Sequence, residues 1–409
     1  GIAAPGEAEA EGVGASAPAP PGRAEVRPST AATTSHVTAS ESTQSGDAAS
    51  EEPGLSPSEA FTGSDYRFTP SPSYEEDRTV FALGTASQKT AGTSLLKSED
   101  GGATWRPLAA HGLAVGSGTV LLPPAYPDDR TIFVRNRGHV LFASNDDGAS
   151  FEPVAPATAG ATLSPLFSDG DRRVFIGGAF GSAGATVYRP DTKAVEPLVL
   201  PLPAGTVPLD FGFSPAYASD GAFLVRVVDR SRARGDRVVT GALNASPHDI
   251  RPGEATASGG LFRCTDEGCD EVLRDTEIMG MRWSPDGSSA FAWTRTTLFR
   301  SSDRGRTFQG VSAPGAERND WITQVTTTNE GLLYATTYAT GFGGDRMFVS
   351  RDGGETWHRL SDVAGPRIND LLALPDGKLL TSFFVVSGPK FACSADGGAT
   401  WHSECADAA

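Results

Sequence analysis

The chain has 409 residues, a formal net charge of −16 and 38% hydrophobic residues. That charge has the wrong sign for binding nucleic-acid phosphates or docking electrostatically on anionic lipid, and no run of 18 apolar residues is present to span a membrane. The 48 glycines and 29 prolines favour many short strands joined by turns.

The first 62 residues have the composition of a stalk. Ala, Gly, Pro, Ser, Thr and Glu dominate residues 1–60, and large apolar side chains are nearly absent. Such a segment cannot bury enough apolar surface to offset the entropy lost on ordering. We therefore predict a disordered, low-complexity linker over 1–62 and a folded domain over 63–409. Because the chain begins with Gly1 rather than Met, we also expect a signal peptide or anchor upstream.

Two motifs alternate through the folded domain. The first, Ser-x-Asp-x-Gly-x-[Thr/Ser]-[Trp/Phe], has full copies that begin at Ser98, Ser144, Ser301, Ser350 and Ser394. Weaker copies lie at 187–191 and 262–268. The second motif is a Ser-Pro or Pro-Pro turn that precedes the first, as in 71–81 and 123–133. A repeat of roughly 40–50 residues indicates a stacked or circular array.

Each repeat predicts four strands. The first repeat places them near 66–71, 78–84, 93–98 and 104–108, and the second near 117–123, 130–135, 139–144 and 150–155. Four strands per repeat are typical of propeller blades. We predict an all-β protein with a single propeller of seven four-stranded blades. Six or eight blades are the alternatives, because the third copy is degenerate, and we expect the ring to close by packing without strand exchange.

The aspartates of the first motif are predicted to be structural. Gly at the fifth position permits a positive φ where the chain reverses, and the Asp carboxylate can accept backbone N–H groups across the turn. Their equivalence by repeat favours this role over catalytic acids or calcium ligands. They are Asp100, Asp146, Asp266, Asp303, Asp352 and Asp396.

This motif resembles the Asp-box, or BNR, repeat of sialidases, xyloglucanases, sortilin-type receptors and a photosystem II assembly factor. The resemblance covers about 66–405, and the copies at 98–105, 350–357 and 394–401 match fully. It implies a propeller whose boxes lie away from the ligand site, and it does not specify the ligand.

The four cysteines form two close pairs, Cys264 with Cys269 and Cys393 with Cys405. Each pair lies on one predicted hairpin, where neighbouring strands bring the Cα atoms within disulfide range. Two disulfides indicate an oxidising compartment, so we expect an exported protein, whether secreted, periplasmic or tethered to the cell surface. Four reduced thiols are the alternative, and zinc is disfavoured because the pairs lie on different blades without a neighbouring His.

A ligand-binding face is predicted opposite the boxes. The loops between second and third strands and the connections between blades should share it, and one of them, 229–260, is a long insertion. Guanidinium groups bind carboxylates, and aromatic rings stack on sugars or peptides. The competing interpretation is that the arginines are solvated and paired with nearby aspartates. The candidates are Arg230, Arg232, Arg234, Arg237, His248, Arg251, Arg318, Trp321, Tyr338, Arg346 and Arg367.

A sialidase-like exo-glycosidase is one alternative that the resemblance implies. That family uses an Arg triad on the substrate carboxylate, an Asp acid/base and a Tyr–Glu nucleophile pair. Arg67 is nearest to its Arg-Ile-Pro motif, with an extra residue before the proline. Tyr334 or Tyr338 would supply the nucleophile, and Arg346 or Arg367 the remaining triad members.

The leading hypothesis is a non-catalytic recognition or scaffold domain for a glycan or protein ligand. No nucleophile elbow, Gly-rich phosphate loop or His-rich metal motif is present, so we assign no catalytic residue and expect neither cofactor nor metal. We expect a monomer. An assembly factor for an envelope or membrane complex is the other alternative.

Overall fold

The structure is a computed structural model. It describes residues 54–85, 93–113, 118–123, 126–136, 140–155, 163–168, 171–176, 185–229, 259–265, 267–274, 276–315, 320–338, 344–360, 367–383 and 390–405. These residues belong to one compact unit, Pro53–Ala409.

Short antiparallel strands make up most of the described fold. In the first half of the chain they are β1 (Ser64–Pro70), β2 (Val80–Thr85), β3 (Thr93–Ser98), β4 (Arg106–Pro107), β5 (Gly118–Leu121), β6 (Ile132–Asn136), β7 (Leu141–Ser144), β8 (Glu152–Ala155), β9 (Leu163–Ser168), β10 (Asp171–Ile176), β11 (Thr186–Arg189) and β12 (Ala194–Pro197). In the second half they are β13 (Thr206–Phe213), β14 (Phe223–Asp229), β15 (Gly259–Thr265), β16 (Gly268–Leu273), β17 (Gly280–Trp283), β18 (Ala290–Trp293), β19 (Leu298–Ser301), β20 (Gln309–Val311), β21 (Trp321–Thr327), β22 (Leu333–Tyr338), β23 (Arg346–Ser350), β24 (His358–Arg359), β25 (Ile368–Ala373), β26 (Leu379–Phe383) and β27 (Phe391–Ser394). Three one-turn helices accompany them: α1 (Pro57–Ala60), α2 (Tyr74–Asp77) and α3 (Tyr217–Asp220).

The described strands form seven sheets, each built from consecutive strands. Six sheets have four strands, and the seventh, β25–β26–β27, has three. A single bridge between Cys393 and His402 stands where the fourth strand of that sheet would lie. The predicted all-β propeller is confirmed, with six complete four-stranded blades among the described residues. The seventh is incomplete because its last segment pairs at one residue.

Blades pack through their first strands. Strand β1 lies against β5, β17 lies between β13 and β21, and β25 lies against β21 and β1. Two hydrogen bonds join the last blade to the first: the Phe68 amide donates to the Asp370 carboxylate (2.8 Å), and the Ser382 hydroxyl donates to the Tyr66 carbonyl (2.6 Å). The ring therefore closes by packing between the first and last blades.

The core consists of apolar seams between neighbouring blades. Between the first two blades, Phe81, Leu95 and Ile132 are at most 1% exposed. Alternating strands place such side chains on both sheet faces, so each blade buries apolar residues against two neighbours. Complete burial of a Phe, Leu or Ile stabilises the fold by about 1.5–3 kcal/mol.

Residues 54–62 belong to the folded unit, contrary to the predicted boundary at 63. Leu55 and Trp105 exchange two backbone hydrogen bonds of 2.9 Å, which adds a pairing at the outer edge of the first blade. Phe61 is 4% exposed and stacks on Phe391 of the last blade (ring centroids 4.6 Å apart). The unit begins at Pro53. The composition of the segment does not predict that it is folded, because one aromatic side chain, Phe61, anchors an otherwise polar stretch.

The Asp boxes form hydrogen-bonded turns between third and fourth strands. In the second box, Ser144 Oγ accepts from the Gly148 amide (2.9 Å), and Ser150 Oγ donates to the Asp146 carboxylate (2.5 Å). Gly148 has a φ of 85°, a backbone conformation that favours glycine. Hydrogen bonds from Ser150 and Ser144 lower the pKa of Asp146 to about 2.

The same side-chain contacts recur in four other boxes. Their carboxylates each accept a hydrogen bond from the serine and the threonine of the motif, and these aspartates are Asp100, Asp303, Asp352 and Asp396. Asp266 lies outside the described residues. The described box aspartates thus hold turns together.

Both predicted disulfides are present. Cys264 pairs with Cys269 across the β15–β16 hairpin (Cα–Cα 4.0 Å), and Cys393 of β27 pairs with Cys405 (5.8 Å). The second bridge fastens the end of the chain to the last blade. Among the described residues, every helix is too short and too polar to cross a membrane.

Candidate ligand-binding face

Four of the predicted ligand-face residues lie at one edge of the sixth and seventh blades. Trp321 begins β21, Tyr338 ends β22, Arg346 begins β23, and Arg367 directly precedes β25. In an antiparallel sheet, the start of one strand and the end of the next share an edge. These residues therefore lie at the strand ends opposite the box turns.

The remaining predicted candidates cannot be placed on this face. They lie outside the described residues, and they are Arg230, Arg232, Arg234, Arg237, His248, Arg251 and Arg318.

Two aromatic side chains form a half-buried platform. Trp321 and Tyr338 are register partners on β21 and β22, and their ring centroids are 6.1 Å apart. The Arg295 guanidinium, in the β18–β19 turn of the fifth blade, lies 4.7 Å from the Trp321 ring centroid. A cation over an indole is attracted by the quadrupole of the ring, so Arg295 fixes the plane of Trp321. Arg295 was not predicted from the sequence, although it falls in the same class of loop as the other candidates.

Arg346 is held in an internal ion pair. Its guanidinium contacts the carboxylate of Asp320, and the two side chains are 10% and 3% exposed. The Thr337 hydroxyl also donates to Asp320 (3.5 Å). Removing either charge would leave the other buried without compensation. Arg346 therefore fastens β23 to the connection before β21.

Asp345 is a titratable group beside this pair. Burial and the nearby Asp320 charge raise the pKa of its carboxyl to about 7, although the Ile368 amide donates to it (2.8 Å) and Arg367 opposes the rise. Near neutral pH the carboxyl is therefore partly protonated and can donate a hydrogen bond as well as accept one. Arg367 makes no hydrogen bond or ion pair with another described residue.

The first strands bring a second charged group to the central channel. Arg282 lies on β17, one of these first strands, and its residue is exposed to solvent. Desolvation by the surrounding protein lowers the pKa of its guanidinium, and Asp370 and Asp210 oppose the shift. Arg135 is affected in the same way and is coupled to Asp210 and Arg67. Channel arginines and aspartates thus belong to one electrostatic group.

Tyr334 does not lie at this edge of the blades. It is 1% exposed and packs in the core between the sixth and seventh blades with Leu371 and Leu379. Burial raises the pKa of its phenol. Of the two tyrosines considered as a nucleophile, Tyr338 is the one that lies beside Trp321. Among the described residues, no group of three or more His, Cys, Asp or Glu side chains could hold a metal ion.

Comparison with protein families matches one repeat directly. The model for the BNR/Asp-box repeat matches residues 348–359, which contain the hydrogen-bonded box of Ser350, Asp352 and Thr356. The chain is an Asp-box β-propeller. A comparison of this propeller with curated protein sequences finds no match.

Several solved structures are similar to the propeller at low sequence identity. An oligogalacturonate lyase in complex with manganese has 10% identity and a TM-score of 0.51, over 83% of this chain and 85% of that one. YCF48 bound to D1 peptide has 16% identity and a TM-score of 0.49, over 78% and 89%. The GH74 xyloglucanase from Xanthomonas campestris has 15% identity and a TM-score of 0.47, and the propeller covers 60% of its length. At such identities the similarity concerns the fold and not the ligand.

Proposed function

We propose that this propeller is an exported, non-catalytic recognition domain that binds a glycan or protein ligand on the face containing Trp321 and Tyr338. An aromatic platform offers stacking area to a sugar ring or a flat peptide side chain. Arg367 lies close by and can bind a ligand carboxylate. Asp345 can accept or donate a hydrogen bond near neutral pH, as its raised pKa requires.

The observation that carries the proposal is the buried pair of Arg346 and Asp320. A carboxylate-binding arginine of a sialidase-type site has to present its guanidinium to the substrate. Arg346 already contacts an internal carboxylate and is 10% exposed, which supports a structural role. Tyr334, the other residue offered for such a site, is buried in the core. Both facts favour binding over glycoside hydrolysis.

The arginines near the central channel indicate how the ligand is oriented on this face. Arg282 is exposed, and its guanidinium makes no hydrogen bond or ion pair with another described residue. A guanidinium in an enclosed site attracts anions more strongly than one in bulk water. An anionic group of the ligand should therefore point towards the channel, with the apolar part on Trp321.

The test combines turnover with binding. We expect no hydrolysis of a fluorogenic sialoside or of a panel of other glycosides. On a glycan array and with carboxylate-bearing peptides, Trp321→Ala and Arg367→Ala should each weaken the strongest signal by about tenfold, as loss of an aromatic or Arg anchor does. Arg351→Ala is the matched control, because this exposed arginine lies in the box of the sixth blade, which also contains Trp321, but at the opposite strand ends.

Two results would contradict the proposal. Sialoside turnover that Arg367→Ala abolishes would identify an enzyme. Equal loss of binding in Arg351→Ala and Arg367→Ala would mean either that the ligand binds elsewhere or that binding depends only on the overall charge of the protein.

A further inference from the structure

The third blade has a short turn at the position where the first and second blades have a complete box. In the first blade, the paired residues Lys97 and Arg106 enclose the turn 98–105. In the second blade, Ala143 and Glu152 enclose 144–151. In the third, Arg189 and Ala194 enclose only 190–193. Half of the turn is therefore missing, together with the glycine and the aromatic residue of the box.

A full box turn packs against the preceding blade. Gly148 of the second box comes so close to the first blade that a Cβ on it would lie 2.7 Å from Leu108 and 3.6 Å from Leu95. Trp105 of the first box is fully buried and lies against Phe391 of the last blade (6.1 Å between ring centroids). The short turn of the third blade cannot reach the second blade in this way.

A groove occupies the corresponding place between the second and third blades. Its volume is about 570 Å³, and Phe133 and Ala143 line it from the second blade, with Tyr188, Asp191 and Lys193 on the third. Within the groove, Tyr188 packs edge-to-face on Phe133 (6.4 Å between ring centroids). The groove opens at the box turns, at the strand ends opposite Trp321 and Tyr338.

The equivalent space between the first and second blades is filled by a lysine. Lys97 is 6% exposed, and its ammonium group contacts Asp147 of the next box (2.7 Å) and Glu99 of its own box (2.8 Å). The same ammonium lies 5.8 Å from the ring centroids of Phe81 and Tyr126. A cation at this seam is thus held by carboxylates and aromatic faces.

The second blade has no such lysine. Lys97 pairs with Phe81 on the adjacent strand, and at the matching register Ala143 pairs with Phe133. The aromatic ring is kept, and the cationic side chain that would cover it is reduced to a methyl group. Two local changes, Ala143 and the short turn, therefore open one seam.

We propose that this groove binds a Lys or Arg side chain from a basic segment of a protein partner. Glu152 and Asp191 line the groove and are exposed, and their carboxylates make no hydrogen bond or ion pair with another described residue. Lys193 also lines the groove and brings one positive charge to it. Asp146 is a third carboxylate in the lining, and it accepts hydrogen bonds from Ser144 and Ser150. The incoming cation takes the place that Lys97 has at the preceding seam. The net charge of −16 speeds the encounter with a basic partner.

The probe is a fluorescein-labelled tetralysine peptide, with binding followed by fluorescence anisotropy at about 50 mM salt, where screening is weak. Ala143→Lys supplies the internal lysine and should weaken binding by about tenfold. The double variant Glu152→Gln/Asp191→Asn should weaken it by about fivefold, because two partly exposed ion pairs are lost. Both carboxylates are on the surface, so this variant tests the groove even if Ala143→Lys does not fold.

The matched control is Glu355→Gln/Glu404→Gln, which makes the same change in net charge at two exposed carboxylates that do not line the groove. It should alter affinity by less than about twofold. The proposal is overturned if the control weakens binding as much as Glu152→Gln/Asp191→Asn, since the peptide would then respond to overall charge. It is also overturned if a folded Ala143→Lys variant binds as the wild type does.

Discussion

Replacing Phe61 by alanine tests whether the segment before the first strand closes the ring. Phe61 contacts both ends of the propeller: Tyr66 (4.7 Å) and Trp105 (5.0 Å) in the first blade and Phe391 (4.6 Å) in the last. Its side chain is 4% exposed. The substitution would leave a cavity at the seam where the ring closes, bordered by four aromatic rings that have lost a neighbour, because Phe68 also lies 6.1 Å from Phe61.

The expected loss is about 4 kcal/mol in the free energy of unfolding. Truncating a buried Phe to Ala costs about 3–5 kcal/mol, and each aromatic pair contributes about 0.5–1.5 kcal/mol beyond area burial. The rigid seam between two blades limits collapse of the cavity, which places the cost in the upper part of that range. Domains are stable by about 5–15 kcal/mol, so the variant should fold with a small margin.

Urea unfolding followed by tryptophan fluorescence measures the change. With an m-value of about 3 kcal/mol/M, the midpoint should fall by about 1 M. Val199→Ala is the control, because Val199 is 87% exposed and surface substitutions stay within about 0.5 kcal/mol. A chain that begins at Pro53 keeps every contact of Phe61, whereas one that begins at Gly63 loses them. A Phe61→Ala midpoint equal to that of Val199→Ala would refute the reasoning and return residues 54–62 to the linker.

Three further changes should alter stability in defined ways. Arg346→Ala should cost about 3–5 kcal/mol in urea unfolding, because Asp320 is left as a buried, unpaired charge. Asp345→Asn should remove a pH dependence of the free energy of unfolding. The Asp345 carboxyl has a pKa of about 7 in the folded protein and about 4 when unfolded, so the folded state binds the extra proton between these values. The free energy of unfolding of the wild type therefore falls as the pH rises from about 4 to about 7. Cys393→Ser/Cys405→Ser should cost about 3 kcal/mol, and mass spectrometry without reductant should find both thiols of the wild type in a disulfide.

The controls for these changes use other groups of the same kind. Arg274→Ala removes an ion-paired arginine that is 76% exposed and should cost less than about 1 kcal/mol. An equal loss in Arg274→Ala and Arg346→Ala would contradict the buried-pair argument. If the urea midpoint of the wild type does not decrease as the pH is raised from 5 to 8, the raised pKa of Asp345 is contradicted. Alkylation of Cys393 in the native protein would contradict the disulfide.

The turns and the blade pattern could be predicted from the sequence because their interactions are local. Ser144, Asp146, Gly148 and Ser150 bond to one another within one turn, so their spacing alone specifies the conformation. Adjacent strands of a hairpin likewise place Cys264 beside Cys269. Repetition of the same spacing then specifies a propeller, since four-stranded units with two apolar faces must pack on one another.

The tertiary structure alone decided which side chains meet across the ring. Phe61 meets Phe391 because the first and last blades become neighbours when the ring closes. The composition of a short segment cannot reveal a contact between residues so far apart in the sequence. Arg346 was expected to face a ligand or solvent, and the packing of β23 against the connection before β21 gives it Asp320 instead. The groove between the second and third blades follows from a short turn and a missing lysine on neighbouring sheets. Such contacts depend on how the blades are arranged around the axis, and that arrangement is set by the packing of all the seams together.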